Sequence, residues 1–130
     1  MLRWLLEGND ALGASIDQAH PLLACPLTFL ETARAVVRVQ AAGRMPRARQ
    51  RELAEALDKL EGLSQIRALG TETFFSARQV FPHEPVRALD AIHLAAALAW
   101  RQELGPLAIA STDEALRRNA AALGFALVPE

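Results

Sequence analysis

"RALDAIHLAAALAW", residues 87–100, is the stretch that decides the fold. Its apolar residues continue almost all the way round a helix, which is typical of a helix packed inside a protein. Asp90 and His93 nevertheless fall in its first turns. A carboxylate that enters a protein interior costs several kcal/mol unless another group compensates its charge. Asp90 therefore needs a compensating group.

Three groups could compensate Asp90. Arg87 precedes it by three residues and His93 follows it by three, and both spacings place side chains on one face of a helix. The third is a metal ion. His93 itself is more typical of a packed histidine than of a metal ligand, because no second histidine lies at ligand spacing.

The composition predicts one soluble globular domain that spans residues 1–130. Hydrophobic residues make up 52% of the chain and charged residues 22%, the ordinary balance of a folded protein. The longest fully apolar run, residues 94–100, is far shorter than the roughly 20 residues of a membrane span, so we expect no membrane partner. A single cysteine, Cys25, and the lack of an export leader fit a cytoplasmic location.

Short apolar segments alternate with helical patterns along the chain. This alternation predicts an α/β fold with a parallel sheet covered on both faces, and such folds bind ligands at the carboxyl ends of their strands. We predict strands over residues 22–25, 66–69, 107–110 and 125–128. We predict helices over residues 2–7, 10–18, 26–42, 47–61, 71–81, 86–104 and 112–123.

Two further acids follow predicted strands. Glu31 lies about one turn into the helix after the first strand, and Asp113 comes soon after the strand over 107–110. Each acid has a structural alternative. Thr28-x-x-Glu31 matches a capping box. Asp113 follows Ser111 and Thr112 in a pattern typical of a helix start, in which a hydroxyl caps the helix and acids favour its dipole.

If Glu31, Asp90 and Asp113 converge at the sheet edge, a metal ion bound there would compensate the charge of Asp90. Three carboxylates in one place repel one another and raise one another's pKa, and a divalent cation removes that conflict. An all-oxygen ligand set favours Mg²⁺ or Mn²⁺, which suits hydrolysis of a phosphate ester by an activated water.

Positive charge is concentrated in one segment. Six arginines fall within eighteen residues with no acid among them, although the net charge of the chain is only −1. A solvated helical surface and a patch that faces a polyanion both remain open for this segment. The six are Arg34, Arg38, Arg44, Arg47, Arg49 and Arg51.

Three motifs, in this order, resemble the PIN-domain family and specifically its VapC toxins. "LTFLETARAV" (27–36) is similar to the family segment that carries a helix glutamate, and this residue corresponds to Glu31. "RALDAIHLAAAL" (87–98) resembles the family's most recognisable stretch, whose acid corresponds to Asp90. "IASTDEALRRNAAALGFALV" (109–128) is similar to the family ending, and its acid corresponds to Asp113.

The resemblance implies a three-layer α/β domain that acts as a Mg²⁺- or Mn²⁺-dependent ribonuclease on single-stranded or structured RNA. It further implies a cognate antitoxin as inhibitor and a homodimer. Glu31, Asp90 and Asp113 would be the catalytic and metal-binding residues. Thr112, Ser111 and His93 would support them, and Arg34, Arg38 and Arg44 are candidate contacts to RNA or antitoxin.

The opening of the chain departs from the family pattern. PIN domains open with an apolar strand that ends in Asp-x-Ser, whose Asp is a principal metal ligand, whereas this chain opens with "MLRWLLEGND". That opening is similar to the helix after the motif, so the central N-terminal strand and its acid are expected to be missing. Asp10 and Asp17 are poor substitutes because neither follows a strand. The favoured explanation of the missing strand is a start site that was assigned too late. The alternative is that the chain is truly short and its nuclease is impaired, which would make it a PIN-like binding module that holds antitoxin or RNA without cleavage.

Overall fold

The computed structural model describes residues 13–14, 21–43 and 45–129, of which 13–14 are helical. These residues group into two compact units, within Met1–Ala68 and Leu69–Glu130. The helices predicted over 2–7 and 10–18 lie outside the described residues, apart from 13–14. A single domain over the whole chain stays a prediction.

In the first unit, two short parallel strands pair and two helices pack together. Strand β1 pairs with β2 so that Leu22 lies opposite Ser64 and Ala24 opposite Ile66. The core contains Phe29 and Val36 from the first helix and Leu53 and Leu60 from the second. The elements are β1 (Leu22–Ala24), α1 (Pro26–Ala41), α2 (Arg47–Leu63) and β2 (Ser64–Ile66).

Local sequence explains both helices of this unit. Helix α1 begins at Pro26, whose missing N–H costs nothing at the first helical position. Its buried Thr32 is satisfied because the hydroxyl donates to the carbonyl of Thr28 at 2.7 Å. Helix α2 buries Leu53 and Leu60, which lie two turns apart on one face, as the spacing predicts.

The second unit contains two parallel strands and three helices around a separate core. Strand β3 pairs in parallel with β4, with Ala108 opposite Ala126 and Ala110 opposite Val128. The core contains Leu94 of the long helix α4, packed with side chains that include Phe81 and Phe125. The elements are α3 (Thr71–Ser76), α4 (Ala88–Leu104), β3 (Ala108–Ala110), α5 (Glu114–Ala122) and β4 (Ala126–Val128).

The predicted α/β class with parallel strands is confirmed, and the described strands form two separate two-stranded sheets. The glycine stop after α4 is confirmed too. Gly105 adopts a φ of +88°, a left-handed conformation that side chains rarely adopt, and its N–H donates to the carbonyl of Arg101 at 3.0 Å. Among the described helices, none combines the length and apolar character needed to cross a membrane.

Two predicted elements were placed wrongly. The strand predicted over 66–69 is β2 at Ser64–Ile66, because its position is set by pairing with β1, and the bond from the N–H of Arg67 to the carbonyl of Ala24 ends it. The helix predicted over 71–81 ends at Ser76. The chain then passes through turns, and Phe81 lies in the core.

Candidate metal-dependent active site

A cavity of about 320 Å³ in the second unit brings two of the predicted acids together. Asp90 comes from the first turn of α4, and Asp113 immediately precedes α5. The cavity follows the carboxyl end of β3, where the alternating pattern predicts a site. Its lining residues are Pro85, Val86, Arg87, Asp90, Asp113, Ala115, Leu116 and Asn119.

A larger cavity of about 490 Å³ lies near the amino ends of β3 and β4. Its lining contains no carboxylate, and its one charged side chain is Arg101. A divalent cation requires oxygen ligands of negative or partly negative character. The smaller cavity is therefore the candidate active site.

Asp90 is held at the edge of the buried face of α4. The next residue, Ala91, is buried, as is Leu94 one turn further along, whereas Asp90 itself is half-buried. Arg87, the residue before α4, contributes its carbonyl to the N–H of Ala91 at 2.9 Å. Packing of the apolar face thus fixes the helix that carries the carboxylate, and the carboxylate reaches the cavity rather than the core.

Asp113 both caps a helix and faces the cavity. Its Oδ1 accepts a hydrogen bond from the N–H of Leu116 at 2.8 Å, so the predicted helix start is confirmed, whereas the prediction that a hydroxyl caps the helix is wrong because Asp113 itself is the cap. Within the described residues, its Oδ2 accepts no hydrogen bond. One carboxylate oxygen therefore remains for a ligand, and the structural and functional alternatives for Asp113 are compatible.

The residues around Asp113 hold it in place through main-chain contacts. The buried Ser111 accepts a hydrogen bond from the N–H of Asp113 through its Oγ at 3.0 Å. Arg117 donates to the carbonyl of Ser111 at 2.9 Å and to that of Pro129 at 2.7 Å. Ser111 thus positions the acid, and Arg117 ties the ends of β3 and β4 to α5. Thr112 is half-buried between Ser111 and Asp113.

Two predicted local interactions are not formed. Cys25 is the N-cap of α1, which has no side-chain cap, so Thr28 and Glu31 do not form the capping box. Glu31 is half-buried on the second turn of α1. No hydrogen bond or ion pair joins the side chain of Arg87 to Asp90 or to any other described residue.

Three of the remaining predicted residues lie on described helices. His93 is half-buried on α4. Arg34 and Arg38 are exposed on α1, whereas Arg44 lies outside the described residues. On α2, Arg49 forms an ion pair with Glu52 at 2.9 Å on an exposed face, which adds little to stability.

A model of the PIN domain matches residues 4–122. The chain belongs to the PIN-domain family. PIN domains are typically metal-dependent nucleases, so Asp90 and Asp113 share a cavity in a protein from a family of metal-dependent hydrolases. The comparisons with curated proteins and with solved structures gave no match.

The cavity of this PIN domain fits a hard divalent cation in the chemistry of its donors. Two carboxylates and one guanidinium line it, so the charged side chains leave a net negative charge that a cation would neutralise. In the described part of the chain, no group of three or more His, Cys, Asp or Glu residues could hold a metal ion. The third carboxylate, predicted at Glu31, stays a prediction.

Asn119 and Glu84, which the sequence predictions missed, shape this cavity. Asn119 is only 1% exposed and lines the site, and its side chain bonds to both main-chain groups of His83. Glu84 accepts hydrogen bonds from the N–H groups of Phe81 and Val86 at 2.9 and 2.6 Å. In the sequence, Asn119 could have been noticed as an amide beside the apolar residues of α5. Glu84 belongs to no periodic pattern that would have predicted its role.

Proposed function

We propose that this PIN domain is a Mg²⁺- or Mn²⁺-dependent endoribonuclease of the VapC toxin type that hydrolyses single-stranded or structured RNA. The observation that carries the proposal is the shared cavity of Asp90 and Asp113, since paired carboxylates suit a metal that acts on a phosphate ester. The three motifs at 27–36, 87–98 and 109–128 support the toxin type.

The chain's own carboxylates would bind and orient the metal ion. Asp90 offers its carboxylate from α4, and Asp113 offers its Oδ2 while its Oδ1 caps α5. When bound, the divalent ion supplies positive charge next to the phosphate and makes a water molecule a stronger nucleophile. In the hydrolysis, the water oxygen bonds to phosphorus and the bond to the 3′ oxygen breaks. The attacking water gives up a proton and the 3′ oxygen takes one, so the products carry a 5′-phosphate and a 3′-hydroxyl.

The proposal assigns roles to residues outside this pair. Glu31 supplies the third carboxylate, directly or through water, while Ser111, Thr112 and His93 support the site. The protein acts in the cytoplasm as a homodimer that a cognate antitoxin inhibits. Candidate contacts to RNA or antitoxin are Arg34, Arg38 and Arg44.

Asp90→Asn tests the proposal most directly. The amide keeps the size of the side chain but removes its negative charge, so Mg²⁺- or Mn²⁺-dependent cleavage of a labelled single-stranded RNA should fall to background. Asp58→Asn is the matched control because Asp58 is an exposed carboxylate on α2 that is absent from the cavity lining. Cleavage by Asp90→Asn at the rate of the Asp58→Asn control would refute the proposal, provided that circular dichroism shows both variants folded.

The alternative, a binding module without activity, predicts little specific uptake of metal. The nuclease proposal predicts that calorimetric titration of the unmodified chain with Mn²⁺ shows saturable binding, which Asp90→Asn weakens. A chain that binds RNA but takes up no Mn²⁺ and cleaves nothing would be a binding module, and the nuclease proposal would fail.

A further inference from the structure

Arg87 occupies an unusual place for a cation. It is the last residue before α4, its side chain is exposed, and it lines the same cavity as Asp90 and Asp113. Its guanidinium forms no ion pair or hydrogen bond within the described residues. Arg87 lines the cavity without acting as the partner of either acid.

The segment that carries Arg87 is fixed by two side chains. The amide of Asn119 bonds to the N–H and the carbonyl of His83 at 2.9 and 3.0 Å, which ties the segment to α5. The carboxylate of Glu84 bonds to the N–H of Val86 at 2.6 Å, next to Arg87 itself. The main chain of Arg87 is thus held in position before any ligand binds, which lowers the entropy cost of binding.

A guanidinium in this place opposes the binding of a metal cation. It repels the ion, because Arg87 lines the same cavity as the carboxylates that would hold that ion. The arrangement becomes favourable when an anion also enters the cavity. The planar guanidinium can donate two parallel hydrogen bonds to a phosphate, which makes arginine well suited to bind this group.

We propose that Arg87 binds a phosphate of the RNA substrate next to the metal-binding acids, and so orients the scissile bond. This proposal rests on the proposed nuclease function. It assigns to Arg87 a role that the sequence motif alone does not give, since the helical spacing indicated only an ion pair with Asp90. The substrate class is RNA with a phosphate that reaches the cavity.

The test compares Arg87→Gln with Arg118→Gln, because Arg118 is an exposed arginine on α5 that is absent from the cavity lining. Two ligands are titrated separately: Mn²⁺ alone by calorimetry, and a fluorescein-labelled 20-nucleotide RNA in EDTA by anisotropy. Arg87→Gln should bind RNA roughly ten-fold more weakly, in line with the loss of a charge-assisted hydrogen bond. Its affinity for Mn²⁺ should rise, because the repelling charge is gone.

The opposite changes in affinity for RNA and for Mn²⁺ distinguish a binding role from general damage to the fold, which would weaken the binding of both ligands. The dependence of RNA affinity on salt should also flatten by about 0.7 in its logarithmic slope. Arg87→Lys keeps the charge but not the two-pronged geometry, so it should retain the slope and lose part of the affinity.

RNA binding by Arg87→Gln equal to that of Arg118→Gln would overturn the role of Arg87, while Mn²⁺-dependent cleavage by the unmodified chain would leave the nuclease proposal intact. If the unmodified chain cleaves RNA but binds it too weakly to measure in EDTA, the kinetics decide. Arg87→Gln must then raise KM for RNA at least several-fold, and an unchanged KM overturns the proposal. A chain that neither binds Mn²⁺ nor binds or cleaves RNA would overturn both proposals.

Discussion

The side chain of Asn119 holds the main chain of His83 through two hydrogen bonds, across 36 positions of sequence. Its Oδ1 accepts from the N–H of His83 at 2.9 Å, and its Nδ2 donates to the carbonyl of His83 at 3.0 Å. Nδ2 also donates to the carbonyl of Ala115 at 3.1 Å, within α5. One buried amide thereby joins the segment before α4 to the helix that Asp113 caps.

Asn119→Ala should destabilise the protein. Removal of the amide deletes its hydrogen bonds to the N–H and carbonyl of His83, and a typical hydrogen bond contributes about 0.5–1.5 kcal/mol to stability. Urea denaturation followed by circular dichroism measures this loss. The neighbouring exposed Arg118→Ala is the control and should change the free energy of unfolding by less than about 0.5 kcal/mol. Equal stability of the two variants would mean that the amide bonds contribute nothing.

Glu84→Gln should loosen the same segment even though it preserves the shape of the side chain. The carboxylate of Glu84 accepts one hydrogen bond on each oxygen, whereas an amide offers one acceptor and turns its NH₂ group towards an N–H donor. We expect faster hydrogen exchange at the N–H of Phe81 or Val86. Glu55→Gln on the exposed face of α2 is the control. Unchanged exchange at both amides would contradict the prediction.

Variants of Asp113 should separate its two roles. Asparagine caps helices as well as aspartate does, so Asp113→Asn should retain stability within about 0.5 kcal/mol, whereas Asp113→Ala should lose about 1 kcal/mol. Both variants lack the negative charge, so both should bind Mn²⁺ at least about ten-fold more weakly. Urea denaturation and calorimetry measure the two effects separately. Tight Mn²⁺ binding by Asp113→Asn would limit Asp113 to its capping role.

Arg101→Gln should destabilise the second unit, although Arg101 does not line the cavity that contains Asp90 and Asp113. The guanidinium of Arg101 lies 4.2 Å from the centre of the Phe125 ring and donates to the carbonyl of Leu123 at 2.8 Å. Loss of both contacts should cost about 1–2 kcal/mol. Arg78→Gln is the matched control, because Arg78 lies 5.8 Å from the exposed ring of Phe75. A loss in Arg78→Gln as large as that in Arg101→Gln would rule out this explanation.

Features with local causes could be predicted from the sequence. Pro26 starts α1, Gly105 ends α4, and the spacing of Leu53 and Leu60 identifies the buried face of α2. The pattern at Ser111–Asp113 indicated a helix start, and Asp113 is the cap. In each case the residues that decide the structure lie within about two turns of one another, so a single segment contains the whole cause.

Tertiary structure decided the features that depend on distant partners. The position of β2 follows from its register with β1, some 40 residues earlier in the chain. The role of Asn119 depends on His83, and Arg87 lines the cavity without the local ion pair with Asp90 that its spacing suggested. Periodicity places a residue on a face of its own helix but does not identify the segment that packs against that face. The sequence by itself therefore determined the acids and the helices that carry them, whereas the fold decided that Asp90, Asp113 and Arg87 share one cavity, because only packing between distant segments brings those side chains together.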